Sequence, residues 1–310
     1  MLNILFSAQP ERWDEYEDLL NGAFADAGLE ANLARDHAPA DVDYIIFAPN
    51  GPVTDFTPYT KTKAIMSLWA GVETVVDNPT LTQPLCRLVD ESLTNGMVEW
   101  VVGHTLRYHL GMDDHITKQD GIWRASIYPP VAANRPVTIL GIGALGAACG
   151  QALRQLGFPV TGWSRNAKDI PNITCLHGAD GLRAALSGAE VVILLLPQTP
   201  QTENILDAGN LGLLAKGAFI INPGRGPLID DDALIAALDS GQVAHATLDV
   251  FRTEPLPPDH PFWAHPKVTV TPHIASGTRP ETASRVIAAN IARGEAGQPL
   301  QFLVDRKHGY

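Results

Sequence analysis

The chain has 310 residues, 45% of them hydrophobic and 18% charged, with a formal net charge of −12. That length allows two domains of ordinary size, and that composition is globular rather than disordered. The acidic balance speaks against the basic surface that nucleic-acid binding needs, so any functional cations should mark local anion sites. Cys86, Cys149 and Cys175 are odd in number, far apart and without a CxxC pair. They predict buried structural thiols rather than a disulfide framework or a zinc site. The apolar start, Leu2 to Phe6, meets Gln9-Pro10-Glu11-Arg12 too soon for a signal peptide. No apolar run approaches the ~20 residues of a membrane span. The chain therefore reads as soluble and cytoplasmic, with neither a membrane nor a nucleic acid as partner.

Leu2 to Phe6 predicts a buried strand, and Pro10 to Ala27 a helix with proline near its first turn. Tyr44 to Phe47 and Ala64 to Leu68 predict further strands, and Cys86 to Val89 a weaker one. This is βα alternation, hence a mostly parallel sheet. Gly96 to Met112 predicts a long helix. After a polar stretch, Asp113 to Asp120, and Tyr128-Pro129-Pro130, a second α/β series begins. Its strands are Val137 to Leu140, Phe158 to Trp163, Val191 to Leu196, Phe219 to Ile221, Ala246 to Leu248 and Val268 to Val270. Val191 to Leu196 holds no polar residue, as a central parallel strand requires. A helix over Ala144 to Leu156 follows the first of these strands, and a final helix spans Pro280 to Gly294.

Gly141, Gly143 and Gly146 match G-x-G-x-x-G between an apolar strand and an alanine-rich helix. The first glycine permits the tight turn, the second lets backbone approach a pyrophosphate, and the third lets helix and strand pack closely. The helix N-terminus adds free N–H groups and partial positive charge. No Gly-Lys-Ser/Thr follows, which excludes a Walker-type loop. This turn normally follows the first strand of a dinucleotide domain, so its position at residue 141 implies a separate domain before it, with the boundary near the Gly96 helix. The next strand should end in Asp or Glu if the cofactor is NAD. Ser164-Arg165 stands there instead, 18 residues past Gly146, with Lys168 nearby. A hydroxyl and a guanidinium suit the 2′-phosphate of NADP(H), with NAD(H) the lesser alternative.

Arg225, Glu254 and His273 each follow an apolar strand, and the carboxyl ends of parallel strands are where ligands bind. An arginine there can clamp a carboxylate and polarise the neighbouring carbonyl. A carboxylate beside a histidine favours the imidazolium, which can give a proton to a carbonyl or take it back in reverse. His104 and His109 are five apart on one predicted helix and share no face, and His260 and His265 flank prolines. No metal site is expected. No G-x-S-x-G elbow is present, which disfavours a serine hydrolase.

With these residues the chain resembles the D-isomer-specific 2-hydroxyacid dehydrogenases. The matching segments are the glycine turn, Leu194 to Pro197 with Thr199-Pro200 and Thr202, Asn222 to Gly226, Leu248 to Phe251 with Glu254 to Pro257, and Thr271 to Ile274. Trp163-Ser164-Arg165, Thr278-Arg279-Pro280 and the tail Val304-Asp305-Arg306 to Gly309-Tyr310 make it most similar to the bacterial glyoxylate/hydroxypyruvate reductase A group. The resemblance implies two doubly wound parallel-sheet α/β domains. A flavodoxin-like substrate domain takes 1–97 and 278–310, and a Rossmann-type cofactor domain takes 98–277.

The resemblance also implies reduction of a small 2-oxo acid by a homodimer, with Arg225 as carboxylate anchor and His273 with Glu254 as proton relay. Cofactor contacts would come from Gly141, Gly143, Ala144, Leu145 and Gly146, then Ser164, Arg165 and Lys168. Leu196, Pro197, Thr202 and Pro223 would add to them, and Asp249 would meet the nicotinamide amide. Trp69, Ala70, Gly71 and Val72 resemble the loop whose amides bind the substrate carboxylate. Here the sequence departs from the pattern: Trp69 replaces a small residue, Glu73 replaces aspartate, and Asn222-Pro223-Gly224 replaces Asn-x-Ala. Two other readings of the chain are a dehydrogenase of a different 2-oxo acid and a non-catalytic NAD(P)-sensing binding protein.

Overall fold

A computed structural model describes residues 1–117, 119–123 and 128–306. The Gly309-Tyr310 part of the tail match lies outside these described residues. The chain divides into two compact units, 1–93 with 277–310, and 94–276.

The first unit holds β1 (Leu2–Ser7), β2 (Ala31–Ala34), β3 (Tyr44–Phe47), β4 (Ala64–Ser67) and β5 (Leu85–Cys86). They form one parallel sheet in the order β2-β1-β3-β4-β5. The order reverses between β1 and β3, which makes the sheet doubly wound and flavodoxin-like. β3 and β4 are buried along their whole length, so their apolar runs do not alternate. Helix Arg12–Asp26 buries Tyr16, Leu20 and Phe24, and helix Pro280–Glu295 buries Ala283, Ile287 and Ile291 in the same apolar cluster. Each large side chain so buried stabilises by roughly 1.5–3 kcal/mol. Beyond that helix, Val304 N–H donates to the Leu85 carbonyl at 2.8 Å, and the Arg306 guanidinium caps the carbonyls of Val76, Asn78 and Leu81.

The second unit holds β6 (Val137–Leu140), β7 (Val160–Ser164), β8 (Thr174–His177), β9 (Val191–Leu194), β10 (Ala218–Asn222), β11 (Val243–Leu248) and β12 (Val268–Val270). All are parallel, in the order β12-β11-β10-β9-β6-β7-β8. The order turns between β6 and β9, and that crevice is the expected ligand position in such sheets.

The α/β alternation is as the sequence predicts, and several elements differ in extent or were not marked. β2 and β8 are edge strands with mixed burial, so no apolar run marks them. The Cys86 strand stops at Cys86, because Arg87 N–H donates to the Phe302 carbonyl at 3.0 Å. The Gly96 helix begins at Glu91, where Asp90 Oδ1 accepts from Leu93 N–H at 2.7 Å and caps it. It ends at His109, with Gly111 at φ +62° just beyond. Cys86 and Cys149 are buried, and burial pushes their thiols up to about 11 and about 12, whereas Cys175 is only half-buried.

Helix Glu91–His109 packs a polar cluster against β10, β11 and β12. Tyr108 stacks on Phe219 with centroids 4.5 Å apart and bonds Thr247. His245 Nε2 meets Thr269 Oγ1 at 2.9 Å, and Arg107 donates to that same oxygen at 3.0 Å while pairing with Asp113. Burial first, then Arg107, lowers both His104 and His245, the latter to about 4; His104 and His265 add to the push on His245, and Asp113 opposes it. Asp249 and Asp113 oppose the shift at His104. The fold thus prefers neutral rings, while the unfolded chain takes up protons near 6.5. Stability should fall as pH drops from about 6.5 towards about 4, by no more than ~3 kcal/mol for His245. Urea midpoints across that window should show the loss, and His245→Asn should flatten it. Equal slopes in the two proteins would contradict this account.

Candidate active site

The glycine turn closes against backbone on two sides. Gly141 has φ +100°, and a Cβ there would lie 2.5 Å from the Leu195 carbonyl oxygen. A Cβ on Gly146 would lie 1.9 Å from the Gly141 oxygen. Gly143 differs, since a Cβ there meets nothing within 4 Å. Open space therefore adjoins the start of helix Ala144–Gln155, which no side chain caps. Its first-turn N–H groups, those of Ala144, Leu145 and Gly146, point to a place where an anion is favoured. Lys168 Nζ donates to the Ile142 carbonyl at 3.0 Å, so its ammonium lies against this turn. Ser164 ends β7, is 8% exposed and donates to the Asn166 carbonyl at 2.8 Å; Arg165 beside it is exposed. After β9, Leu196 is buried, and Thr202 Oγ1 donates to the Pro197 carbonyl at 2.8 Å. Thr202 therefore ties its own loop together.

The loop after β10 carries Arg225 between two glycines that touch neighbouring strand ends. A Cβ on Gly224 would lie 2.8 Å from the Leu194 oxygen, and one on Gly226 2.0 Å from the Phe251 carbonyl carbon. Gly224 thus has a packing reason in this chain, and Pro223 before it is buried. Asn222 braces the turn: its Nδ2 donates to the Arg225 carbonyl at 3.0 Å and its Oδ1 accepts from Gly224 N–H at 3.1 Å. Arg225 is half-buried, and its Nη1 donates to the Gly224 carbonyl at 2.7 Å.

The loops after β11 and β12 meet. Glu254 Oε1 accepts from Phe251 N–H at 2.8 Å, which fixes the carboxylate, and Oε2 lies 2.7 Å from His273 Nδ1. The two side chains are 35% and 51% exposed, respectively, so the pair is open to solvent and reactants. With Glu254 on Nδ1, Nε2 is the ring nitrogen left for proton exchange. His273 itself has φ +55°, a left-handed conformation.

These loops lie within the segment that a known family describes. The model of the D-isomer specific 2-hydroxyacid dehydrogenase, NAD binding domain, matches residues 102–275. The chain belongs to the D-isomer specific 2-hydroxyacid dehydrogenase family. Membership makes it an NAD(P)-dependent oxidoreductase of 2-hydroxy acids. It is 38% identical over 317 residues to glyoxylate/hydroxypyruvate reductase A of Serratia proteamaculans, with all of both chains covered. A D-isomer specific 2-hydroxyacid dehydrogenase of Xanthobacter autotrophicus Py2, solved with NADPH and MES, superposes with a TM-score of 0.92, at 37% identity over 99% of each chain. The NADPH-dependent glyoxylate/hydroxypyruvate reductase of Sinorhizobium meliloti, solved with NADP and sulfate, gives 0.88, at 33% identity over 100% of each.

The open space at Gly143 and the uncapped helix start fit the pyrophosphate of this family's cofactor, and Ser164, Arg165 and Lys168 offer hydroxyl and cationic groups for a 2′-phosphate. The segment Trp69, Ala70, Gly71 and Val72 follows β4 in the first unit, whereas Arg225, Glu254 and His273 belong to the second. Trp69 is 41% exposed, its N–H held by Ser67 Oγ at 3.0 Å and its carbonyl by Leu88 N–H at 3.0 Å; Val72 is buried. Among the described residues no group of three or more His, Cys, Asp or Glu side chains is placed to hold a metal ion. No helix there is long and apolar enough to cross a membrane. Asn222 braces the Arg225 turn, a role that Asn-x-Gly at a strand end signals as an Asx-turn. The Thr271 hydroxyl donates to Asp249 Oδ1 at 2.6 Å, a contact that no local pattern announces.

Proposed function

We propose that the protein reduces small 2-oxo acids, glyoxylate and hydroxypyruvate foremost, to 2-hydroxy acids with NADPH. The observation that carries this reading is the 2.7 Å contact of Glu254 with His273 at the ends of β11 and β12, beside the Arg225 turn. The bound nicotinamide cofactor supplies the hydride. Arg225 holds the substrate carboxylate and polarises the adjacent carbonyl. His273 Nε2 gives that carbonyl oxygen its proton, and Glu254 holds the ring by Nδ1. The second unit, from the region of residue 98 onward, serves the cofactor.

We further propose a cytoplasmic homodimer. The exposed apolar side chains of Ile116, Ile122, Trp123 and Tyr128 support a partner surface on the second unit, with Trp123 93% exposed. Sedimentation reads this directly, and a monomer at micromolar concentration would contradict it.

Turnover of a panel of 2-oxo acids with NADPH and NADH tests the reading. Ser164-Arg165 in place of an acid should favour NADPH by about 10–100-fold in kcat/KM, since charge-assisted contacts contribute about 1.5–3 kcal/mol each. Arg165→Ala should mainly weaken NADPH. Equal use of NADH by the unmodified enzyme would overturn the preference. A bulkier 2-oxo acid as best substrate would favour the neighbouring dehydrogenase reading, which the exposed Trp69 makes specific. Cofactor binding without turnover on any acid would leave a sensing protein.

A further inference from the structure

We infer that Asp249 is a positioning residue for His273, acting through the loop that carries it. This rests on the proposed role of His273 as proton donor. Asp249 follows β11 and is 1% exposed. A carboxylate so buried must be satisfied by donors within the protein. Among the described residues, all of its side-chain bonds come from one loop. Oδ1 accepts from Thr271 Oγ1 at 2.6 Å and from Ile274 N–H at 2.9 Å, and Oδ2 accepts from Ala275 N–H at 2.9 Å. The backbone carbonyl of Asp249 adds a fourth tie, accepting from His273 N–H at 2.8 Å. These contacts bracket His273 on both sides.

The bracket has a local purpose. His273 adopts φ +55°, which L-residues with a Cβ avoid. Such a conformation persists where its surroundings over-determine it. Thr271 before it and Ile274 and Ala275 after it are each held by the one carboxylate, so the ring leaves the loop in a set direction and meets Glu254. Asparagine at 249 would keep one oxygen but turn an N–H₂ towards an N–H of Ile274 or Ala275. The loop would then lose one tie and gain a donor facing a donor.

The test is a double-mutant cycle with Asp249→Asn, His273→Ala and the pair, read as kcat, substrate KM and the NADPH dissociation constant. Displacing a reacting group by ~1 Å costs roughly 10²-fold. Asp249→Asn should therefore lower kcat by about 10–100-fold. In the His273→Ala background it should cost nothing further. Thr271→Val, a milder change that removes one of the ties, should show a smaller loss that also vanishes in that background. It keeps the test open if Asp249→Asn fails to fold. Weaker NADPH binding with kcat retained would overturn the inference and return Asp249 to the cofactor amide. Equal losses in both backgrounds would overturn it as well. Near-full activity of His273→Ala would be a different failure, that of the proton-donor reading itself.

Discussion

His273→Ala should lower kcat/KM for reduction of a 2-oxo acid by about 10²–10⁴-fold, the usual contribution of a positioned general acid. The Glu254 carboxylate holds the imidazole at 2.7 Å on Nδ1, which leaves Nε2 as the nitrogen for proton exchange. The His273 side chain's exposure of 51% gives reactants access to it. Glu254→Gln is the companion experiment. It keeps the shape, and its side-chain carbonyl oxygen can still accept from Phe251 N–H or from the ring, but it replaces a charge-assisted bond to the ring with a neutral one. We expect a smaller loss than for His273→Ala, borne by kcat rather than by substrate KM. The loss should disappear when His273 is already alanine. A Glu254→Gln loss that persists in that background would mean that Glu254 acts as a brace of the Phe251 turn and not through the histidine.

Arg225→Ala should abolish useful turnover while leaving NADPH binding intact. Two charge-assisted bonds to a carboxylate, at about 1.5–3 kcal/mol each, correspond to a fall of about 10²–10⁴-fold in kcat/KM. The structure gives the reason for so local an effect. Arg225 stands between Gly224 and Gly226, each packed against the backbone of a neighbouring strand end, and Asn222 clamps the turn from below. Removing the guanidinium therefore leaves the turn in place. Arg225→Lys should recover only part of the loss, because an ammonium keeps the charge but not the planar fork. A substrate KM unchanged in Arg225→Ala would contradict the anchor role.

The first of these glycines, Gly224, also explains one place where the chain leaves its family pattern. At 224 the pattern has alanine, and here a Cβ would stand 2.8 Å from the Leu194 oxygen and 3.1 Å from Leu228 Cδ1. The departure is therefore a matter of how tightly this turn sits on β9, and Arg225 keeps its place. Trp69 is another departure. Its side chain is 41% exposed rather than buried under the loop, so it is available to influence which acids are accepted.

Much of this was present in the sequence. The non-alternating run Val191 to Leu196 marks a central parallel strand, and burial across Val191–Leu194 is complete. The spacing of Gly141, Gly143 and Gly146, the missing acid at Ser164-Arg165 and the positions of Arg225, Glu254 and His273 after apolar strands are all local facts. They depend on residues a few places apart, which is the range over which periodicity and turn chemistry act. The tertiary structure decided what is not local. Edge strands β2 and β8 are half-exposed and carry no run to read. The start of helix Glu91–His109 is set by the cap from Asp90, two residues before any apolar periodicity begins. Glu254 reaches His273 across 19 residues because β11 and β12 are neighbours in the sheet, and strand order is a property of packing, not of either segment. For the same reason Asp249, which the sequence presents as an acid at a strand end, becomes a buried acceptor for three groups of a single loop only once β12 lies beside it.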